Sequence, residues 1–382
     1  MKNYFDERYK FTHRLEGLVN AYGEDIAQTL EGALDTIGGK LMRLTAAAEK
    51  TASMERKRQL LIKRKTEVES TLAEIYQDMG QDMKAKAVET ALATPEILNG
   101  IIEGSLPENV SAGLKWSHVT KDRVLAWWDS SQIEGTFFND YLSKLETSAA
   151  ERVLQAARQS LLLDESMKES AASIQAALDI GARSAQRVLR TALHSAVNWA
   201  EREVYRENLD RFKSFKFQAE LDRGTCEYCA FLDGNEYALE DAPAPPVHYA
   251  CRCFLYPVFR DVFVDGRDEP VPFEDALGED YDKVARRIAR LDTDPRTVHH
   301  RDGGTSTAYR GYEVKFVDRR MNYRQWMQSM VKSSDPGDVA FAREALGPTR
   351  FNLVESGKLK VESLYYQGKF KTIDELKRLM EP

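Results

Sequence analysis

The residues equipped for chemistry in this 382-residue chain stand close together. All four cysteines lie between positions 226 and 253, as Cys226-x-x-Cys229 and Cys251-x-Cys253, with His248 just ahead of the second pair. Thiolate and imidazole are the donors zinc favours, and Cys-x-x-Cys answered by His-x-x-Cys-x-Cys is metal-ligand spacing. Cys226, Cys229, His248, Cys251 and Cys253 compete for the four corners of a tetrahedron. An all-cysteine set leaves His248 donating to a sulfur, whereas three cysteines plus the histidine release either Cys251 or Cys253. An x-x spacing chelates one ion more readily than a single-residue gap, which favours Cys226, Cys229, His248 and Cys251. Four protein ligands leave no open position, so the expected role is one structural zinc per chain. Such an ion would hold together a two-stranded hairpin that is marginal alone.

Catalytic readings are weaker. A zinc-bound, His-containing hairpin followed by a helix also describes an HNH-type nuclease acting on DNA, which is the alternative reading. That chemistry needs a general-base histidine beside a metal ligand, with a further His or Asn on the next helix. Val247-His248-Tyr249 offers no acidic neighbour, and the residues after Cys253 read as a strand ending at Pro257. Gly-x-Ser-x-Gly, His-Glu-x-x-His and the P-loop are absent. The chain is therefore expected not to be an enzyme, with no catalytic residues. His299-His300 lack a suitably spaced carboxylate or cysteine and are expected on the surface.

The elements that must position the cluster follow from periodicity. Residues 1 to about 210 are rich in helix formers, with Pro95 and Pro107 the only prolines. An amphipathic helix is expected from about Leu41 to Ala93, ended by Ala93-Thr94-Pro95, with a loop or hinge over Gly100–Gly113. Its basic cluster, Arg56, Lys57, Arg58, Lys63, Arg64 and Lys65, is interleaved with Glu55, Glu67 and Glu69, which favours a solvated, ion-paired face over a DNA surface. Basic residues are sparse among Trp116, Trp127, Trp128, Phe137 and Phe138, which are expected inside. Helices are expected over Ser148–Leu163 and Met167–Leu178, with a break at Asp179-Ile180-Gly181. A further helix over about Arg183–Glu207 carries the stripe Ala185, Val188, Leu189, Ala192, Ala196, Trp199, Ala200 and Val204. His194 falls on its other, polar face, expected to be solvated.

At Arg211 the period becomes two. Phe215, Phe217, Ala219 and Leu221 alternate with polar residues as a half-buried strand, and Cys251 to Tyr256 reads as its partner. Asp233-Gly234-Asn235 is a turn signal. From Asp261 to Tyr312 an acidic, Gly-rich lobe is expected, with one helix near Tyr281–Leu291. Short helices are expected at Tyr323–Met327, Phe341–Leu346 and Thr372–Met380. The fold class is α+β and predominantly α-helical, with five regions: an N-terminal helical arm (1–112), a helical domain (113–210), a zinc-binding β module (211–262), a linker lobe (263–320) and a C-terminal helical segment (321–382).

The cluster and its flanks resemble a known family. Asp-Arg-Gly-Thr-Cys-Glu-Tyr-Cys-Ala-Phe-Leu-Asp-Gly, followed by Pro-Pro-Val-His-Tyr-Ala-Cys-Arg-Cys, is similar to the Mu F-like head morphogenesis (minor head) proteins of tailed bacteriophages. Their signature is Asp-x-Arg-Thr-Cys-x-x-Cys, Leu-Asp-Gly, then Pro-Pro-x-His-x-x-Cys-Arg-Cys. Asp222, Thr225, Cys226, Cys229, Asp233, Gly234, His248, Cys251, Arg252 and Cys253 match it. Gly224 stands where the family has its arginine, with Arg223 one place earlier, and Ala192 stands where an acidic residue often follows Arg-Thr. The resemblance runs from about Trp116 to the end of the chain. It implies a non-enzymatic virion component in few copies at the portal vertex of the phage head, assembled in the host cytoplasm. The partners it implies are the portal protein and the major capsid or scaffold protein, with a contact to packaged DNA among its expectations.

Composition agrees with a globular chain. The hydrophobic fraction is 42%, the charged fraction 30% and the net charge −7, so bulk electrostatics does not favour polyanions. No apolar run is long enough to span a bilayer, and the first residues lack the apolar core of an export signal. A reducing compartment is therefore expected, where cysteines serve metals more readily than disulfides, and no membrane or small-molecule partner is expected.

Overall fold

The computed structural model describes residues 4–49, 54–105, 114–115, 119–163, 166–261, 269, 271, 286–299 and 305–380. Two long helices open it, α1 (Tyr4–Glu49) and α2 (Met54–Ser105). The single helix expected from Leu41 to Ala93 is thus the end of one helix and most of the next. Pro95 does not stop α2, which continues to Ser105. An interior proline costs a helix roughly 3 kcal/mol. Leu98, Ile101 and Ile102 lie buried beyond it, and each contributes about 1.5–3 kcal/mol, so packing outweighs the defect. Pro107 and Trp116 lie outside the described residues.

Helix α3 (Lys121–Ser130) starts at Thr120, whose hydroxyl accepts from the Arg123 amide. A two-residue turn, Glu134-Gly135, with both φ positive, joins β1 (Gln132–Ile133) to β2 (Thr136–Phe137). Helix α4 (Phe138–Leu162) follows. Of the aromatic patch expected inside, Trp128 and Phe138 are buried and stack at 4.8 Å, and half-buried Trp127 stacks on Trp199 at 5.5 Å, but Phe137, the last residue before α4, is exposed.

Helix α5 (Met167–Glu207) is one continuous element, begun by a capping box between Ser166 and Glu169. The expected break at Gly181 is absent. A Cβ there would stand 2.6 Å from the Tyr76 hydroxyl of α2, so this glycine marks a close helix–helix approach. Its helix cost of about 1 kcal/mol is small beside burying the tyrosine ring. The apolar stripe of α5 is buried, with Trp199 half-buried. Much of its polar face is also covered, because α1, α2 and α4 pack around the helix: Thr191, His194 and Asn198 are buried, while Arg187 stays exposed.

Strand β3 (Phe212–Gln218) runs between β4 (Glu236–Tyr237) and β5 (Phe254–Phe259), antiparallel to both. Phe217 pairs with Leu255 and Phe212 with Phe259. The second strand begins at Phe254 rather than Cys251, because Cys251–Cys253 bend toward the cluster instead of joining the ladder.

The stretch read as a linker lobe with a helix near Tyr281–Leu291 instead supplies an antiparallel ribbon, β6 (Arg286–His299) and β7 (Thr305–Asp318). Arg287, Ala289 and Leu291 are buried while Ile288 and Arg290 are half-buried, so period two governs here. The Arg290 amide donates to the Leu221 carbonyl at 2.8 Å, adding residue 221 to the ribbon edge. The side chains of His299 and His300 lie outside the described residues.

The chain ends in α7 (Tyr323–Val331), α8 (Pro336–Leu346), α9 (Pro348–Glu355), a 3-10 turn (Val361–Leu364), the pair β8 (Tyr365–Tyr366) and β9 (Lys369–Phe370), and α10 (Ile373–Arg378). Three of these helices fall where the sequence places them. Packing gathers the apolar side chains into two cores. One joins α1–α5 to β3–β5; the other joins Leu221, Ala230, Ala289 and Leu291 to the C-terminal helices. Among the described residues no helix is long and apolar enough to cross a membrane.

Candidate metal centre

The cysteine cluster sits where the two cores meet. A six-residue helix, α6 (Glu227–Leu232), follows Cys226, whose sulfur caps it by accepting from the Cys229 amide at 3.4 Å. One helical turn brings Cys226 and Cys229 to the same side. His248 enters from a turn closed by the Cys251 amide on its carbonyl, 3.2 Å. That turn needs a positive φ at Ala250 (58°). It is held by the Ala250 amide donating to Thr191 Oγ1 of α5 at 3.0 Å, while Thr191 donates to the Arg187 carbonyl.

The five candidates converge. His248 Nε2 lies 3.1 Å from the sulfurs of both Cys226 and Cys229, and the Cys229 and Cys251 sulfurs are 3.8 Å apart. Donor atoms of Cys226, Cys229 and His248 lie within 4.8 Å of one another, as do those of Cys229, Cys251 and Cys253, so Cys229 belongs to both groups. Two sulfurs bound to one tetrahedral zinc at ~2.3 Å stand about 3.8 Å apart, the spacing of Cys229 and Cys251. Cys229, Cys251 and Cys253 are buried, whereas Cys226 and His248 are half-buried.

The histidine is oriented for ligation. Its Nδ1 hydrogen-bonds the Tyr249 carbonyl at 2.8 Å, which makes Nδ1 the donor and turns Nε2, the atom that would ligate once deprotonated, toward the sulfurs. The thiols are electrostatically frustrated. The hydrogen bond from Cys229, helped by His248, pulls Cys226 down to about 4, while the same contact with Cys226 pushes Cys229 far up. Hydrogen bonds to Cys226 and Cys251 raise His248 to about 11. Contact with Cys229 lowers Cys251, and burial raises Cys253. Like charges this close ionise alternately, and a divalent cation is the charge that lets them be thiolates together. The donor set therefore fits a soft tetrahedral metal.

Around the cluster, polar residues brace the chain. Arg252, between the second cysteine pair, grips Asp222 with both terminal nitrogens at 2.5 and 2.8 Å. Thr225 donates to the Glu220 carbonyl, tightening the approach to Cys226. Asn198 of α5 donates to the Cys253 carbonyl at 3.2 Å. Asp233 is fully buried and accepts from the Ala219 amide (2.8 Å), from Arg287 Nη1 (2.9 Å) and from the Tyr323 amide (2.6 Å). It thereby joins β3, β6 and α7. Gly234 beside it has φ 82°, and a Cβ there would stand 2.9 Å from the Asn322 side chain.

Sequence reasoning missed two parts of this frame. Arg287 was placed in a helix, although its position on an alternating face with Ala289 and Leu291 signals a buried strand residue. His194 was read as solvated. It is buried, and its Nε2 lies 2.9 Å from Glu16 of α1, which also takes Arg190 at 2.9 Å. Of the basic stretch 56–65, Lys65 is exposed and pairs with Glu69 at 3.5 Å; the other basic side chains there lie outside the described residues.

Fold and cluster together define a mainly helical α+β protein in which a short helix and a turn beside a small antiparallel sheet carry a Cys/His group able to hold a metal ion. Residues 151–256, from α4 through β5, match the family described as phage Mu protein F like protein. This span contains α5, all four cysteines, His248, Asp222, Asp233 and Arg252. No curated protein and no solved structure matches the chain.

Proposed function

We propose that the chain is a structural minor head protein of a tailed bacteriophage, acting in head assembly beside the portal, with one structural zinc. The observation that carries this reading is the Mu F-like span itself, in which the signature residues are occupied in holding the chain. Asp222 clamps Arg252, Asp233 joins three elements, and Thr191 anchors the His248 turn. Partners of this role are the portal protein and the capsid or scaffold protein. Lys65, the described basic side chain of the stretch 56–65, is exposed and pairs with Glu69, which supports a solvated helix face at that position rather than a DNA contact.

The non-enzymatic part of the proposal rests on His248. One nitrogen is held by the Tyr249 carbonyl and the other faces two sulfurs, so neither is available as a general base. Zinc at this site would supply folding free energy, through Cys226, Cys229, His248 and Cys251 as the favoured set.

Protein analysis of purified heads tests the role: the chain should be present in few copies and be retained with the portal when capsid shells are removed. Absence from heads would refute it. Incubation of pure protein with plasmid and Mg²⁺ or Mn²⁺ should leave the DNA intact. Cleavage that disappears in a folded His248→Ala protein would replace this reading with the nuclease.

A further inference from the structure

A polar cleft of about 550 Å³ lies between α1 and the cysteine module. Tyr9, His13 and Gly17 of α1 form one wall; Glu220, Ala250 and Arg290 form part of the other. The cleft is also lined by Glu16, Arg190, Asp222 and Arg252, whose charges are mutually satisfied. Arg190 donates to both oxygens of Glu16, and Arg252 to both of Asp222. Arg290 is engaged as well. Glu220 is different. Among the described residues its half-buried carboxylate has no hydrogen-bond or ion-pair partner, and Arg252, Asp222, Arg287 and Arg8 act on it only through space.

An unpaired carboxylate in a partly desolvated cleft is costly, and the cost is relieved by a cation. Burial pushes the Glu220 carboxyl up to about 7, with Asp222 adding to the rise and Arg252, Arg287 and Arg8 opposing without cancelling it. An anionic ligand would find its guanidinium partners already taken by Glu16 and Asp222. A bare metal ion would need several donors in reach, and among the described residues such groups occur only at the cysteines. A cationic head on an apolar stem fits better: Glu220 offers the head a counter-charge, and Tyr9 and Ala250 of the same lining offer the stem apolar surface. Gly17 of the lining leaves space open, since a Cβ there would meet nothing within 4 Å.

We propose that this cleft receives an alkylguanidinium or alkylammonium group, the side chain of an arginine or lysine from a neighbouring protein, with Glu220 as its counter-ion. That the neighbour is another head protein rests on the function proposed above; the preference for a cation does not.

Calorimetric titration of the full chain with agmatine, an alkylguanidinium, tests the site directly. Saturable binding is expected. Glu220→Gln keeps the shape, removes the charge, and should weaken binding about tenfold or more, as loss of a charge-assisted hydrogen bond does. Gly17→Leu should block the cleft while leaving thermal stability equal or higher, because leucine is the better helix former. Unchanged agmatine binding in both variants, or no binding by the parent chain, would overturn the site. Spermidine should bind no more tightly than agmatine, since one carboxylate is on offer. Binding of spermidine tenfold tighter would overturn the side-chain assignment in favour of a free polyamine. None of these outcomes bears on whether the chain is found in heads, so the two readings fail separately.

Discussion

Arg252 and Asp222 form a two-point clamp, 2.5 and 2.8 Å, between the residue inside the second cysteine pair and the turn ahead of the first. The clamp holds both arms of the cluster at their bases, so a bound metal would close a loop already nearly closed. Lysine keeps the charge but cannot make the fork. Arg252→Lys is expected to cost about 2 kcal/mol and to speed zinc release to a chelator. Equal melting temperature and equal release rate in the variant would show that the clamp is incidental.

The two sulfur groups share Cys229, which gives the cysteines unequal weight. Purified protein is expected to hold about one zinc per chain. Cys229→Ser should abolish binding and lower soluble yield, whereas Cys253→Ser should keep the metal, because the favoured set leaves Cys253 out. Metal analysis of the two variants decides; loss of zinc in Cys253→Ser would move the fourth ligand to that sulfur.

Asp233 neutralises Arg287, itself 6% exposed, and takes the amides of Ala219 and Tyr323. Asp233→Ala strands a buried guanidinium and two amides. The expected loss is about 3–5 kcal/mol, with early proteolytic release of the C-terminal helices as the second core separates. Cleavage at the parent rate would show that the second core does not depend on this contact.

Gly181 and Tyr76 form a testable pair. Gly181→Ala gains about 1 kcal/mol of helix propensity but drives a methyl toward a buried hydroxyl at 2.6 Å, an overpacking cost of about 1–3 kcal/mol. A net loss is expected. The Tyr76 hydroxyl has no hydrogen-bond partner among the described residues, so Tyr76→Phe should be nearly neutral alone and should rescue Gly181→Ala. Denaturant titrations of the four proteins provide the cycle; additive effects would contradict the contact.

Acid should weaken the α1–α5 interface. Burial opposes ionisation of Glu16, but the His194 hydrogen bond and charge and the Arg190 charge outweigh it and hold its carboxyl at about 2, against 4.5 when unperturbed. Its stabilising share is therefore full above pH 4.5 and is lost as pH falls toward 2. His194 is lowered, chiefly by burial, so protonation below its ordinary 6.5 also favours the unfolded chain. Glu16→Gln should be less stable at pH 7, on the order of 2 kcal/mol, and its disadvantage should shrink below pH 4.5. Metal loss in acid affects both proteins, so the difference between their melting curves isolates Glu16. A gap that stays constant to pH 3 would refute this assignment.

Much of the local structure was legible. The strand at Phe215–Phe217, the apolar stripe of α5, the buried aromatics and the short C-terminal helices all follow from period and capping. Breaker residues misled. Pro95 and Gly181 are local signals against helix, and each is overridden by side chains that only a second helix brings near. The β6–β7 ribbon was missed because arginines occupy strand positions whose burial depends on a partner, as Arg287 depends on Asp233.

By itself the sequence determined which atoms can ligate and roughly where they lie along the chain, because donor chemistry and spacing are properties of the residues. It also carried the family resemblance, since that is a pattern of residue types. Tertiary structure decided what those residues touch. Cys226 caps a helix, Asp233 ties three elements, His194 is enclosed and Glu220 faces a cleft without a partner. Such facts depend on elements far apart in the chain meeting in space, and no local pattern encodes the distance between Asp233 and Tyr323 or between Gly181 and Tyr76.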